Sequence, residues 1–130
     1  MEPTMKCGKN LANHADISES EFRDVNLHKA IFDDVNLSES TFHNINFSDV
    51  SFSAAQMGGT TFKHIGLPPD ENGHQDKQRG LSFNECDLND SVFVKCKLSN
   101  VEIKDCELDG MTVDGKLVTE LLKFYKENKR

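Results

Sequence analysis

Few residues of this 130-residue chain have the types and spacing that chemistry requires. Its five His are scattered, and Cys86, Cys96 and Cys106 recur ten residues apart in the setting of small apolar residues rather than as a ligand pair. There is no phosphate-binding glycine loop and no GxSxG, HExxH or CxxC motif. We therefore expect no catalytic residues, no metal site, no cofactor and no enzymatic activity.

Carboxylates are the more abundant reactive groups. Twenty-two Asp and Glu against fifteen Lys and Arg give a net charge of −7. Nucleic acids and anionic membranes bind clustered cations, so neither is expected as a direct ligand, and a protein with a basic surface fits better. No apolar run approaches the roughly 18 residues of a membrane helix, and the first residues lack a signal-peptide pattern. These features predict a soluble, cytoplasmic protein.

The elements that must position these side chains repeat every five residues. Large apolar residues recur at this spacing from Ile17 to Leu67 and again from Phe83 to Val113, with a smaller group two positions before each. Neither helical periodicity nor strict alternation produces this pattern. Short extended segments with two inward residues and a turn would produce it. Ser18-Glu19-Ser20 returns as Ser38-Glu39-Ser40, so four units are expected to form one coil of a solenoid.

Individual units resemble a known family. Ala15-Asp16-Ile17-Ser18-Glu19 and Val35-Asn36-Leu37-Ser38-Glu39 are similar to the A(D/N)LXX units of pentapeptide-repeat proteins. The resemblance implies an all-β fold, a right-handed quadrilateral β-helix whose central Leu or Phe points inward. Eighteen units at four per coil correspond to about 4.5 coils, roughly 22 Å at the usual strand spacing.

The expected organisation has three parts. Residues 1–14 form an N-terminal segment or cap, residues 15–115 form the β-helix, and residues 116–130 form a C-terminal helix with Asp114 as its N-cap. Residues 68–80 lack inward apolar residues and are expected to leave the β-helix as a loop. Phe83 is then placed directly after Leu67, although a placement two slots further on is the alternative.

The C-terminal helix has more apolar surface than one buried face requires. It is expected to cap the last coil, or, as in some members of the family, to pair with a second copy in a homodimer. The residues concerned are Leu117, Val118, Leu121, Leu122, Phe124 and Tyr125.

The same threading gathers outward carboxylates on two adjacent faces of the solenoid. They are interpreted as the contact surface for a protein partner, and they are Asp16, Glu19, Asp33, Asp34, Glu39, Glu85, Asp87, Asp90, Glu102, Asp105, Glu107 and Asp109. By resemblance, a second hypothesis is a DNA mimic that modulates DNA gyrase, a type II topoisomerase, in the manner of quinolone-protecting members. A structural or assembly module is the third hypothesis.

Overall fold

The computed structural model describes residues 5–129 and has three regular elements, all near the end of that range. Strand β1 is Thr112–Val113, strand β2 is Lys116–Leu117 and helix α1 is Val118–Asn128. Residues 5–111 form turns and bends. The predicted quadrilateral β-helix is not confirmed, because its coils would pair with one another and the described residues contain a single two-stranded sheet. Residues 1–4 and 130, which belong to the predicted N-terminal segment and helix, lie outside the described residues.

The chain divides into two units, and the first comprises residues 1–60. In its described part, a backbone N–H donates to the carbonyl three residues earlier once every ten residues, at 2.9–3.3 Å. The residue two places after each accepting carbonyl has a left-handed φ, such as 60° at Glu19 and 76° at Gly59. This bond and this φ are those of a type II turn. The acceptors are Ile17, Leu27, Leu37, Phe47 and Met57.

A second kind of turn alternates with the first. The repeats centred on Phe22, Phe32, Phe42 and Phe52 also have a left-handed residue two places later, but within residues 5–60 their carbonyls accept no such bond. The five-residue repeat of the sequence is therefore a ten-residue repeat of backbone conformation. The second unit, residues 61–130, continues this alternation, with bonded turns at Leu88, Leu98 and Leu108.

A proline explains where the turn series is interrupted. Left-handed residues occur every five positions up to His64, so the next would fall on position 69, which is Pro69. The proline ring holds φ near −65° and cannot adopt the left-handed conformation. The Leu67 carbonyl instead accepts a hydrogen bond from Gln75 Nε2 at 2.8 Å. The predicted excursion at residues 68–80 thus begins where the next repeat is sterically forbidden.

The excursion is closed by its own hydrogen bonds. The Asp70 N–H donates to the His74 carbonyl at 2.7 Å, and the Gly73 N–H donates to the Asp70 carbonyl at 3.0 Å. Asp70 Oδ1 accepts from the N–H groups of Asn72 and His74 at 2.9 and 2.8 Å. Phe62 before the excursion and Phe83 after it are both centres of bends whose carbonyls accept no bond from the residue three places later within residues 5–129. The alternation stays in phase if an odd number of repeat positions separates these two bends. Both predicted threadings satisfy this condition, because they differ by two slots.

The C-terminal region differs from its prediction. Asp114 does not cap the helix, because Asp114 and Gly115 have φ of 48° and 75° and form the two-residue turn between β1 and β2. An Asp-Gly pair favours this hairpin turn, since both central residues need positive φ. The helix therefore begins at Val118 rather than at residue 116. Its N-cap is Leu117, which has no capping side-chain hydrogen bond.

The least exposed side chains gather around this hairpin. No residue in the described range is buried, and only Leu108, Met111, Leu117 and Val118 are half-buried. The Val118 N–H donates to the Met111 carbonyl at 3.0 Å, which joins the last repeat to the start of the helix. The predicted inward column is not confirmed, because central residues such as Phe42 are exposed (57%).

Candidate interaction surface

The predicted acidic surface is built on two recurring positions of the turns. One position directly precedes the apolar centre of a repeat, and the other is the left-handed residue two places after it. All twelve predicted carboxylate residues are exposed. Eight of the twelve either cap a turn through Oδ1 or have a left-handed φ. Exposure to solvent is therefore not the only reason for an acidic residue at these positions.

The position before the centre carries a side-chain cap of the turn. In five bonded turns its Oδ1 accepts the N–H of the residue two places later, at 2.9–3.0 Å. Such Asx turns order the backbone locally. The bonded turns of Phe47 and Leu37 have Asn here, and the unbonded bends of Phe42 and Phe52 have Thr41 and Ser51. The five capping residues are Asp16, Asn26, Asn36, Asn46 and Asp87.

The alternation is also present in the sequence, at a period of ten residues that the five-residue period conceals. Asp or Asn at positions 16, 26, 36 and 46 recurs every ten residues, as does Phe at the centres of the unbonded bends from 22 to 62. Reading the sequence at ten residues instead of five would have separated the two kinds of turn. It would also have assigned Asp16 and Asp87 a structural role.

Asp16 illustrates how the turn affects charge. The Ser18 hydroxyl and the Ser18 N–H both donate to Asp16 Oδ1. These bonds favour the carboxylate and lower the pKa of Asp16, while slight desolvation opposes them. Because the folded pKa lies below the unfolded one, this contribution to stability is present above the ordinary Asp range and is lost as the pH falls through the lowered pKa.

The left-handed position holds six of the twelve predicted residues. Gly adopts this conformation freely and Asn and Asp tolerate it, whereas other residues adopt it at a cost of roughly 1–2 kcal/mol. Gly59 and Gly110 occupy the equivalent position, with φ of 76° and 77°. The six acidic residues have φ between 51° and 61°, and they are Glu19, Asp34, Glu39, Glu85, Asp90 and Asp105.

Replacing Glu39 with Asn is expected to raise the free energy of unfolding by about 1 kcal/mol, because Asn tolerates the left-handed conformation better than Glu. Urea denaturation would measure the change. The matched control is Glu71→Asn, which makes the same chemical change at an exposed loop residue without positive φ. Equal effects at the two positions would show that lost charge, rather than backbone conformation, is responsible.

The remaining four carboxylates have no such backbone role. Glu102 and Glu107 directly precede the centres Ile103 and Leu108 but cap no turn among residues 5–129, and Asp33 and Asp109 directly follow a centre. All four are exposed and lack a left-handed φ. They are therefore the predicted surface residues whose presence the turn chemistry does not explain. The grouping of all twelve into two adjacent faces depends on the coil and stays a prediction.

The C-terminal helix is the second predicted surface. Leu117 and Val118 are half-buried, whereas Leu121, Leu122, Phe124 and Tyr125 remain exposed. Leu122 lines a shallow depression together with Thr119, Lys123, Lys126 and Glu127. Among residues 5–129, no other element covers this apolar strip of the helix, which has Lys and Glu side chains beside it.

The His and Cys side chains form no cluster with one another or with carboxylates within the described range. Among residues 5–129, no three His, Cys, Asp or Glu side chains are grouped so as to hold a metal ion. The four Cys are free and exposed. The thiols of Cys86, Cys96 and Cys106 each donate to the carbonyl two residues earlier, at 3.2–3.5 Å. Within the same range, no helix has the length and apolarity that a membrane span requires.

Five-residue turns that follow one another without an intervening helix define a repeat protein. The family of pentapeptide repeats matches the chain in eight copies, over residues 12–44 and 30–65, so the chain contains pentapeptide repeats. The match confirms the resemblance over residues 12–65, and repeats of this kind imply a right-handed β-helix and are typical of protein-interaction or structural modules. No curated protein and no solved structure matched the chain. The turns at Leu88, Leu98 and Leu108 continue the series beyond the matched residues.

Proposed function

We propose that the turn series closes into the right-handed quadrilateral β-helix, with four repeats per coil and the helix at one end. The exposed Phe and Leu side chains support this proposal. Phe52 and Phe83 are 61% and 60% exposed, and each buried side chain of this size contributes about 1.5–3 kcal/mol. Stacking like turns twenty residues apart would cover them and would also pair the backbone of successive repeats.

On this column, we propose that the protein acts without catalysis as an acidic interaction module for a protein with a basic surface. The observation that carries the proposal is the exposure of all twelve carboxylate residues at regular positions of the turns. Fixed backbone positions would hold the charges in a rigid array, which favours electrostatic steering of a complementary surface. Free thiols fit a reducing compartment, so we place the protein in the cytoplasm.

The predicted threading concentrates this charge. One face carries seven carboxylates and no cation, and the face beside it carries five carboxylates and Lys104. The two faces together would hold a net −11, while the whole chain has −7. The best candidates for direct contact with the partner are the four carboxylates that neither cap a turn nor have a left-handed φ. They are Asp33, Glu102, Glu107 and Asp109.

The experiment that tests this function is capture of partners from cell extract by the immobilised protein at low and moderate salt. A partner that binds the acidic faces should have a basic surface and should be released as salt screens the charges. Its binding must also disappear with a variant whose acidic faces are neutralised. A partner that binds this variant as well as the wild type would contradict the proposal.

Modulation of DNA gyrase is the second candidate function. Duplex DNA carries about one charge per 1.7 Å, or on the order of 13 over ~22 Å, and the two predicted acidic faces would have a similar density. Titration into a gyrase supercoiling assay tests it directly. Inhibition that weakens with salt would support DNA mimicry. No effect at a large excess over the enzyme would contradict it and leave the interaction module.

A further inference from the structure

The tip of the excursion at residues 68–80 contains an Asn-Gly pair. Asn72 is the only one of the eleven Asn in the chain that a glycine follows. Both Asn72 and Gly73 are exposed, and a Cβ added at Gly73 would meet no atom of the described residues within 4 Å. Because no side chain shields the backbone nitrogen of Gly73, this nitrogen is sterically able to reach the thermolabile side-chain amide of Asn72.

The chemistry that this pair allows is deamidation. Hydroxide removes the proton of the Gly73 nitrogen, and this nitrogen bonds to Asn72 Cγ. The bond from Cγ to Nδ2 breaks, and the departing nitrogen takes a proton from water to leave as ammonia, which restores the hydroxide. Water then opens the resulting succinimide ring at either of its carbonyls and yields aspartate or isoaspartate. The sum is a hydrolysis, with no oxidation or reduction.

The hydrogen bonds of the turn oppose this reaction. The Gly73 N–H donates to the Asp70 carbonyl at 3.0 Å. Asp70 Oδ1 fixes the turn by accepting from the N–H groups of Asn72 and His74 at 2.9 and 2.8 Å. The Asp70 N–H donates to the His74 carbonyl at 2.7 Å. The Gly73 nitrogen must give up its hydrogen bond before it loses its proton, so the attack requires the turn to open.

We propose that Asn72 is a site of spontaneous conversion to aspartate and isoaspartate, and that the Asp70 side chain sets the rate by holding the turn closed. Asp70 acts through the backbone on both sides of Asn72 and takes no part in the bond changes. The inference does not depend on the proposed β-helix or on the acidic faces, since every contact that carries it lies within residues 70–74.

Conversion changes both the charge and the backbone of the excursion. Each event adds one negative charge to a chain of net charge −7. Isoaspartate also routes the main chain through the side-chain carbon of residue 72, which moves the N–H groups of Gly73 and His74 out of register with Asp70. The excursion thus acquires a second form with time, one that is more acidic and no longer closes the same turn.

The test follows the full chain during incubation at neutral and at mildly alkaline pH. Anion-exchange chromatography separates the more acidic product, and peptide mapping by mass spectrometry locates the replacement of NH₂ by OH. Asp109 and Asp114 also precede glycine, but they form isoaspartate without a change of mass. Asn72 is expected to convert faster as the pH rises, because hydroxide removes the Gly73 proton, and faster in urea than in the folded protein.

Two substitutions of Asp70 remove the same charge but differ in the hydrogen bonds that they leave. Asp70→Ala removes the acceptor of two N–H groups and should accelerate conversion in the folded protein roughly tenfold. Asp70→Asn keeps an Oδ1 acceptor and should convert at nearly the wild-type rate. In urea the three chains should convert equally. Asn72→Gln is the control for the signal, which should disappear at this position because the longer side chain closes a ring less readily.

Three results would overturn the inference. Absence of conversion in urea would show that the Asn-Gly pair is not reactive. Equal rates for the wild type in the folded state and in urea would show that the turn gives no protection, and this comparison needs no substitution. Equal rates for folded Asp70→Ala and wild type, with matching circular dichroism, would show that Asp70 does not set the rate. Each result leaves the acidic interaction module in place.

Discussion

Replacing Phe42 with Ala is expected to lower the free energy of unfolding by about 3–5 kcal/mol, the usual loss for a buried Phe. In the proposed β-helix Phe42 stacks between Phe22 and Phe62 on one inner corner. In the observed turn series it is 57% exposed and contacts Phe47 edge to face, with ring centres 5.6 Å apart. Urea denaturation followed by circular dichroism would measure the loss.

The control for this substitution is Ile31→Ala. Ile31 directly precedes the centre Phe32 and is 88% exposed, and the predicted threading also turns it outward. Its loss should be within about 0.5 kcal/mol, as for most surface substitutions. If Phe42→Ala were as mild as Ile31→Ala, coil closure would be refuted and the protein would keep its turns without an apolar interior.

Neutralising three carboxylates of the acidic faces is expected to abolish binding of a basic partner while leaving the fold intact. The variant combines Asp87→Asn, Asp90→Asn and Glu107→Gln. Asp87 Oδ1 accepts the Asn89 N–H at 3.0 Å, and Asn preserves that bond, whereas Lys would remove it. Asp90 has φ of 60°, which Asn also tolerates. Binding titrations against the captured partner would measure the effect.

The matched control removes the same three charges elsewhere, with Glu21→Gln, Asp24→Asn and Glu120→Gln. Glu21 contacts Arg23 at 3.0 Å, but an exposed pair of this kind contributes at most about 1 kcal/mol. The control should bind the partner nearly as well as the wild type. Equal losses in the two variants would show that net charge, rather than the predicted faces, governs recognition.

Most of the local structure could be predicted from the sequence. The five-residue period marks where each turn occurs, because a turn depends on residues within three or four positions of one another. Pro69 marks where the series must stop, since it occupies the next left-handed position. The helix was also predicted, although its start was placed two residues too early.

The division of the turns into two kinds was less accessible. The Asx bonds of Asn26, Asn36 and Asn46 depend on a single residue before each centre, so a five-residue average hides them. The roles of the twelve acidic residues were also only partly predictable. Their abundance is plain in the sequence, but the left-handed backbone of Glu39 emerges only from its dihedral angle.

The sequence by itself thus determined the repeat, its interruption and the acidic character of the protein, because each follows from residue type and short-range spacing. The structure decided what depends on residues meeting across a turn or loop. Gln75 closes the excursion on Leu67, and the Asp114-Gly115 turn brings Val118 to Met111. Such contacts depend on the path of the backbone between the partners, which is set jointly by all the dihedral angles between them.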